Sequence, residues 1–194
     1  MWWTIRPEPK KFDLREVYYG LDCQMLLYLF TLERNGGHLF SQGTAAGVEY
    51  LWADPAPENI IRPETDDAEP LQAQNYPLEG LLLDEPSIYH AMDTRGTGAF
   101  VPLSFSAKTG EPTAQSAKAR LADREKFNRI RDHLDGMLTD MAKNLYSGEI
   151  DAAPLVPNAG KSPCLWCEYR TVCRHADGEG ERTPLKPDDP FGAE

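Results

Sequence analysis

Residues 10–30 read KKFDLREVYYGLDCQMLLYLF, and the reading of this stretch decides the fold. From Leu14 to Glu33 the chain is dense in Leu, Tyr and Phe, has no proline, and carries Gly20 as its sole glycine. That composition predicts one long, largely buried helix, stopped by Asn35-Gly36-Gly37. Gln24 and Tyr28 stand four residues apart and therefore project from one face of it. On spacing alone the ordinary reading of such a pair is a polar helix-capping group and a half-buried aromatic. Cys23, set among apolar neighbours, reads as a small buried thiol.

Working outward, Ala46–Trp52 (AGVEYLW) predicts a short strand, and Pro55–Pro77 a proline-rich, acidic loop without periodicity. Leu78–Leu83 predicts an extended apolar run, and Pro86–Met92 a short helix with proline in its first turn, ended by Gly96 and Gly98. Phe100–Phe105 (FVPLSF) reads as an edge strand, because Pro102 has no N–H to give a ladder. The longest helical candidate is Lys118–Leu145. Its apolar Leu121, Phe127, Ile130, Leu134, Met137, Leu138, Met141 and Leu145 recur at helical spacing, with Gly148 as the stop. From Pro154 regular structure gives way to a cysteine loop, and the polar tail after Asp177 reads as disordered.

The 194 residues suffice for one ordinary domain, but 16 prolines and 15 glycines divide it into short elements around a modest core. No apolar run is long enough to span a bilayer and the N-terminus lacks the pattern of a secretory signal, so a soluble, cytoplasmic protein without membrane partners is expected. The formal net charge of −11 opposes nucleic-acid binding by the chain as a whole. The acid gathers between Asp54 and Glu85 and after Asp177, leaving Lys161, Arg170 and Arg174 to make the cysteine region locally basic and a local DNA contact feasible.

Cys164, Cys167 and Cys173 form the pattern CxxCxxxxxC within KSPCLWCEYRTVCRH. Two thiolates separated by two residues can bind one metal centre from a single turn, and a third can close the loop around it. A 4Fe-4S cluster takes four thiolates; a structural zinc takes four ligands that include histidine in many sites. The loop supplies three, and His175, one residue beyond Arg174, is an awkward fourth. On the residues alone, iron–sulfur and zinc both stand open.

KKFDLREVYYGLDCQMLLYLF, LEGLLLDEPSIYHAMD, AKNLYSGEI and SPCLWCEYRTVC, in that order, resemble the C-terminal part of the B subunits of ATP-dependent helicase/deoxyribonucleases, the AddB-type family. The resemblance runs from about Lys10 to Cys173. It implies an α/β fold: the C-terminal fragment of a restriction-endonuclease-like PD-(D/E)XK nuclease domain of the RecB type, with a C-terminal iron–sulfur cysteine loop. It implies that Gln24 and Tyr28 match the QxxxY motif, which belongs to the catalytic set and borders DNA and a Mg²⁺ site. It further implies that Cys164, Cys167 and Cys173 are the last three ligands of a 4Fe-4S cluster whose first ligand lies far upstream.

On this reading the intact parent, with DNA as substrate and a helicase–nuclease A subunit as partner, is an exodeoxyribonuclease that resects double-strand breaks for recombinational repair. The alternative is a non-catalytic, zinc-stabilised interaction module. The sequence departs from the family where an Asp-Tyr-Lys motif should precede Lys11: MWWTIRPEP has no aspartate, so the metal-binding carboxylates and catalytic lysine are missing and the chain is expected to be inactive alone. Residues 1–9 then read as an aberrant N-terminus and frameshift remnant. The single codons of Met1, Trp2 and Trp3, read two bases later, give Val-Val-Asp, and the codons that follow permit Tyr-Lys-Thr-Gly. The expected organisation is completed by a partial nuclease domain over 10–153, the cysteine loop over 154–176 and a disordered tail over 177–194.

Overall fold

The computed structural model describes residues 2–6, 11–38, 43–52, 78–156, 162–175, 180–183 and 189–192. Four strands form one mixed sheet in the order β1 (Trp2–Arg6), β2 (Gly47–Trp52), β3 (Leu78–Leu83) and β4 (Leu121–Ala122). β1 and β2 run parallel, with Trp3 opposite Glu49 and Ile5 opposite Leu51. Parallel neighbours need a crossover. It is made by the helices α1 (Leu14–Tyr18) and α2 (Gln24–Asn35). The stretch read as an aberrant N-terminus therefore holds a strand position, although WWTIR contains no acid. β2 and β3 pair antiparallel, with Val48 opposite Leu81 and Tyr50 opposite Glu79. Their connection falls in residues 53–77, so the expected acidic loop lies outside the described residues.

The stretch read as one helix is two. Asp13 caps α1 by accepting from the Arg15 N–H at 2.9 Å, and the helix ends at Tyr19. Gly20 (φ +84°) and Asp22 (φ +55°) then take left-handed backbone, which no helix continues through. A side chain at Gly20 would also press on the Met137 sulfur. The glycine thus lets the turn pass close to the longest helix. α2 restarts at Gln24 and buries Met25, Leu26, Leu29 and Phe30.

The short helix α3 (Pro86–Met92) matches its expected limits. The long helical candidate, by contrast, is divided. α4 (Ala114–Arg120) is capped by Thr113, β4 adds two residues in parallel beside β3, and α5 (Arg124–Ser147) starts behind Asp123, whose carboxylate accepts from the Lys126 N–H at 2.7 Å. Caps at Thr113 and Asp123 mark two starts, which apolar spacing alone does not register. Gly148 ends α5 in left-handed conformation. The edge strand expected over Phe100–Phe105 does not form. Val101 and Leu103 are buried as loop residues instead, and only an isolated bridge joins Phe105 to Pro112.

Two clusters grow from opposite faces of the β2–β3 pair. On one face Val48, Tyr50, Leu81 and Leu83 pack against Met25, Leu26, Leu29 and Phe30 of α2 and Phe127, Ile130 and Leu134 of α5. On the other, Leu82 joins Tyr89, Val101, Leu103 and Leu121. Gly80 allows this pairing, because a Cβ there would collide with the Val48 carbonyl.

Part of the tail expected to be disordered is fixed. Phe191 is 3% exposed, with its ring 5.7 Å from Tyr18 and 5.4 Å from His133. Arg129 donates to the Phe191 carbonyl at 2.9 Å, and Lys126 pairs with Asp189 at 2.6 Å. Phe191→Ala is expected to lower unfolding free energy by about 3 kcal/mol, from lost burial and the cavity left behind. Urea unfolding measures it; a loss below about 0.5 kcal/mol, the usual size of a surface change, would show that the tail does not hold this slot in solution.

Candidate functional site

Gln24 opens α2 and Tyr28 follows one turn later, on the face turned away from the sheet. The Gln24 Nε2 donates to the Tyr28 Oη at 3.0 Å. Tyr28 is 49% exposed, so its hydroxyl proton remains available to an acceptor arriving from solvent. Gln24 and Tyr28, which share a helix face as their spacing requires, thus form a hydrogen-bonded unit on an open helix face. It can donate to a phosphate or hold a water, but carries no charge and no base.

Asp13, close to this pair in sequence, is already bound to Arg15. Asp13 is held below the usual carboxylate range by hydrogen bonds from the Arg15 side chain and by that guanidinium's charge, against the upward push of burial. Two further acids, which spacing and motif do not single out, lie in the sheet. Glu79 on β3 is buried and accepts from two Arg120 nitrogens, the second at 2.6 Å, and from the Phe12 N–H at 3.4 Å. Glu49 on β2 is 6% exposed, and its Oε1 has no hydrogen-bond partner among the described residues. Burial pushes its carboxyl up to about 8. By strand alternation Glu49 and Glu79 point to opposite faces. The signal for both is an acid inside an apolar strand, in VEYL and LEGL.

The cysteine loop is a 3₁₀ turn (Pro163–Trp166) followed by the short helix α6 (Arg170–Cys173). Ser162 caps the turn by accepting from the Cys164 N–H at 3.3 Å, and the Cys167 N–H closes on the Cys164 carbonyl at 3.4 Å. Cys164 is half-buried, Cys167 and Cys173 are exposed, and none is in a disulfide. Cys23 is buried in the core, where its thiol donates to the Leu21 carbonyl at 3.3 Å. Burial, aided by the charge of Asp22, pushes it up to about 11, so it is a neutral thiol at physiological pH.

The sequence profile of the PD-(D/E)XK nuclease superfamily matches residues 3–174. The chain belongs to that superfamily. It is 29% identical over 172 residues to the B subunit of the ATP-dependent helicase/deoxyribonuclease of Exiguobacterium sibiricum, covering 85% of this chain and 15% of that protein. The corresponding B subunit of Thermoanaerobacter sp. (strain X514) is 30% identical over 172 residues, with 85% and 14% covered. That of Clostridium botulinum (strain Loch Maree) is 28% identical over 169 residues, again with 85% and 14% covered. The chain spans about 15% of the length of these relatives.

PD-(D/E)XK nucleases use Mg²⁺, which takes hard oxygen donors, carboxylates above all. These residues do not fit that ion: Gln24 and Tyr28 bring no carboxylate, Asp13 and Glu79 are bound to arginines, and Glu49 is buried with its Oε1 unsatisfied. Among the described residues, no group of three or more His, Cys, Asp or Glu side chains is arranged to hold a metal. The cysteine thiols suit a soft centre in their chemistry, but supply three donors where a cluster takes four, and the described geometry does not converge them.

Glu49 makes stability depend on pH. The unfolded carboxyl ionises near 4.5 and the folded one near 8, so between these values the folded chain binds the extra proton and stability falls as pH rises. Above about 8 the dependence levels off. Glu49→Gln, which cannot ionise, should abolish this slope and leave the variant the more stable of the two at pH 8, where the native side chain bears the cost of a buried charge. Chemical unfolding from pH 5 to 9 tests it; parallel curves for the two proteins would refute the assignment.

Proposed function

We propose that this chain is the nuclease-fold portion of a helicase–nuclease B subunit, which in its intact form works with an A subunit to resect DNA double-strand breaks. The observation that carries the proposal is the match over residues 3–174, within which the crossover between β1 and β2 presents the bonded Gln24–Tyr28 pair. In this reading the pair borders DNA and positions the scissile region, while Mg²⁺ chemistry requires carboxylates that the described residues do not offer. Residues 10–153, joined by β1 as an edge strand of their sheet, form the partial nuclease unit, residues 154–176 the cysteine loop, and the protein works in the cytoplasm. Among the described residues no helix is long and apolar enough to cross a membrane.

It follows that the chain alone does not cleave DNA. Purified protein incubated with single-stranded DNA and Mg²⁺ should leave the substrate intact, and so should Gln24→Ala and Tyr28→Ala. Metal-dependent cleavage lost in those variants would overturn this, showing that discounted residues assemble a site.

Cys164, Cys167 and Cys173 are proposed as three ligands of a 4Fe-4S cluster, with the fourth from outside the loop. The second reading is zinc. It is favoured by one observation: the His175 Nε2 is buried without a partner among the described residues. Protein purified without oxygen should absorb broadly near ~400 nm and bleach in air, since an iron lacking its protein ligand is open to oxidants. Cys23→Ser should leave the spectrum unchanged. A colourless protein holding one zinc per chain would replace the iron–sulfur reading, and loss of the chromophore in Cys23→Ser would place that thiol among the ligands.

A further inference from the structure

The apolar stripe of α5 continues past the core that it serves. Phe127, Ile130 and Leu134 are buried, and Met137 packs against the same cluster. Leu138, Met141 and Leu145 carry the three-and-four spacing onward, yet every residue from Leu138 to Ile150 is exposed, with Met141 at 61% and Leu145 at 79%. The exposed part of the helix is roughly 15 Å long at the α-helical rise. A helix segment of this length that is exposed along its whole run is marginal in water, and an apolar row along it marks a surface that something covers.

Charge states what covers it. The C-terminal pole of a helix carries about half a negative charge, normally met by Lys or Arg in the last turn. α5 has no basic residue there, and Glu149 and Asp151 follow immediately. Lys143 is already paired with Asp140 at 3.2 Å. The surface is thus an apolar row ending in a negative pole that no basic side chain of the last turn meets. Phosphate-bearing partners, nucleic acid or anionic lipid, are repelled by that pole. A second copy brings the same pole and the same net charge of −11.

We infer that the C-terminal half of α5 is a docking surface for a protein segment, an amphipathic helix whose apolar row is flanked by Lys or Arg. Leu138, Met141 and Leu145 take the apolar row, and Glu149, Asp151 and the helix pole take the cations. The inference stands on α5 alone and does not depend on the nuclease reading.

The test uses the full chain and two synthetic amphipathic peptides of ~21 residues, three helical heptads, with identical leucine rows and either Lys or Glu flanks. Binding is followed by fluorescence anisotropy and backbone hydrogen exchange. The Lys peptide should bind at least ~10-fold tighter than the Glu peptide and slow exchange over residues 138–147 by a similar factor, a difference of ~1.4 kcal/mol. The doubly substituted chain, Met141→Asp with Leu145→Asp, should lose the Lys peptide by ~10-fold or more. Both positions are exposed, so circular dichroism should show the fold intact. Because those changes add negative charge, purely ionic attraction would strengthen; tighter binding to the variant would overturn the inference. Equal binding of the two peptides, or of neither, would also overturn it. So would sedimentation showing a dimer that the variant dissociates, which would make a second copy the occupant.

Discussion

The fold depends on how closely β2 and β3 approach each other. Gly80 sits where any side chain would strike the Val48 carbonyl, so the pairing exists only because that position has none. The antiparallel register then places Val48, Tyr50, Leu81 and Leu83 on one face and Leu82 on the other. Each face seeds a cluster: helices α2 and α5 cover the first, and the loop containing Val101 and Leu103 covers the second. Shifting the register by one residue would exchange the faces and send Glu79, now tied to Arg120, to the side where Glu49 is already unsatisfied.

Much of this is legible in the chain. The two strands AGVEYLW and LEGLLL, the short proline-led helix at Pro86 and the stop at Gly148 are all readable, because each is set by local backbone chemistry. What escapes is a set of interruptions and tertiary effects. Gly20 in a run of aromatics looks tolerable within a helix, and only its approach to Met137 shows why a turn is needed there. The α4–α5 pair reads as one helix because Leu121 fits the helical spacing while serving as a strand residue beside Leu82. FVPLSF has the composition of a strand, but its apolar residues are buried without a ladder.

The candidate site divides in the same manner. Gln24 and Tyr28 are four residues apart in one helix, so their contact is a local consequence of sequence. The cysteines stand out in sequence because two thiols two residues apart, with a third close by, are the spacing of a soft metal centre. The states of Glu49 and Glu79 are not readable. Each is an acid in an apolar strand, yet one is matched by an arginine 41 positions away and the other is left protonated by its surroundings.

The placement of Phe191 ties the closure of the fold to time as well as to geometry. The slot between Tyr18 and His133 is closed by a plug that lies 62 residues beyond Arg129, which holds it. At ordinary bacterial rates a ribosome needs on the order of several seconds to cover that interval. Until Phe191 arrives, the α1–α5 seam lacks the aromatic that closes it, and that open seam is the surface a chaperone or a misfolding partner would meet.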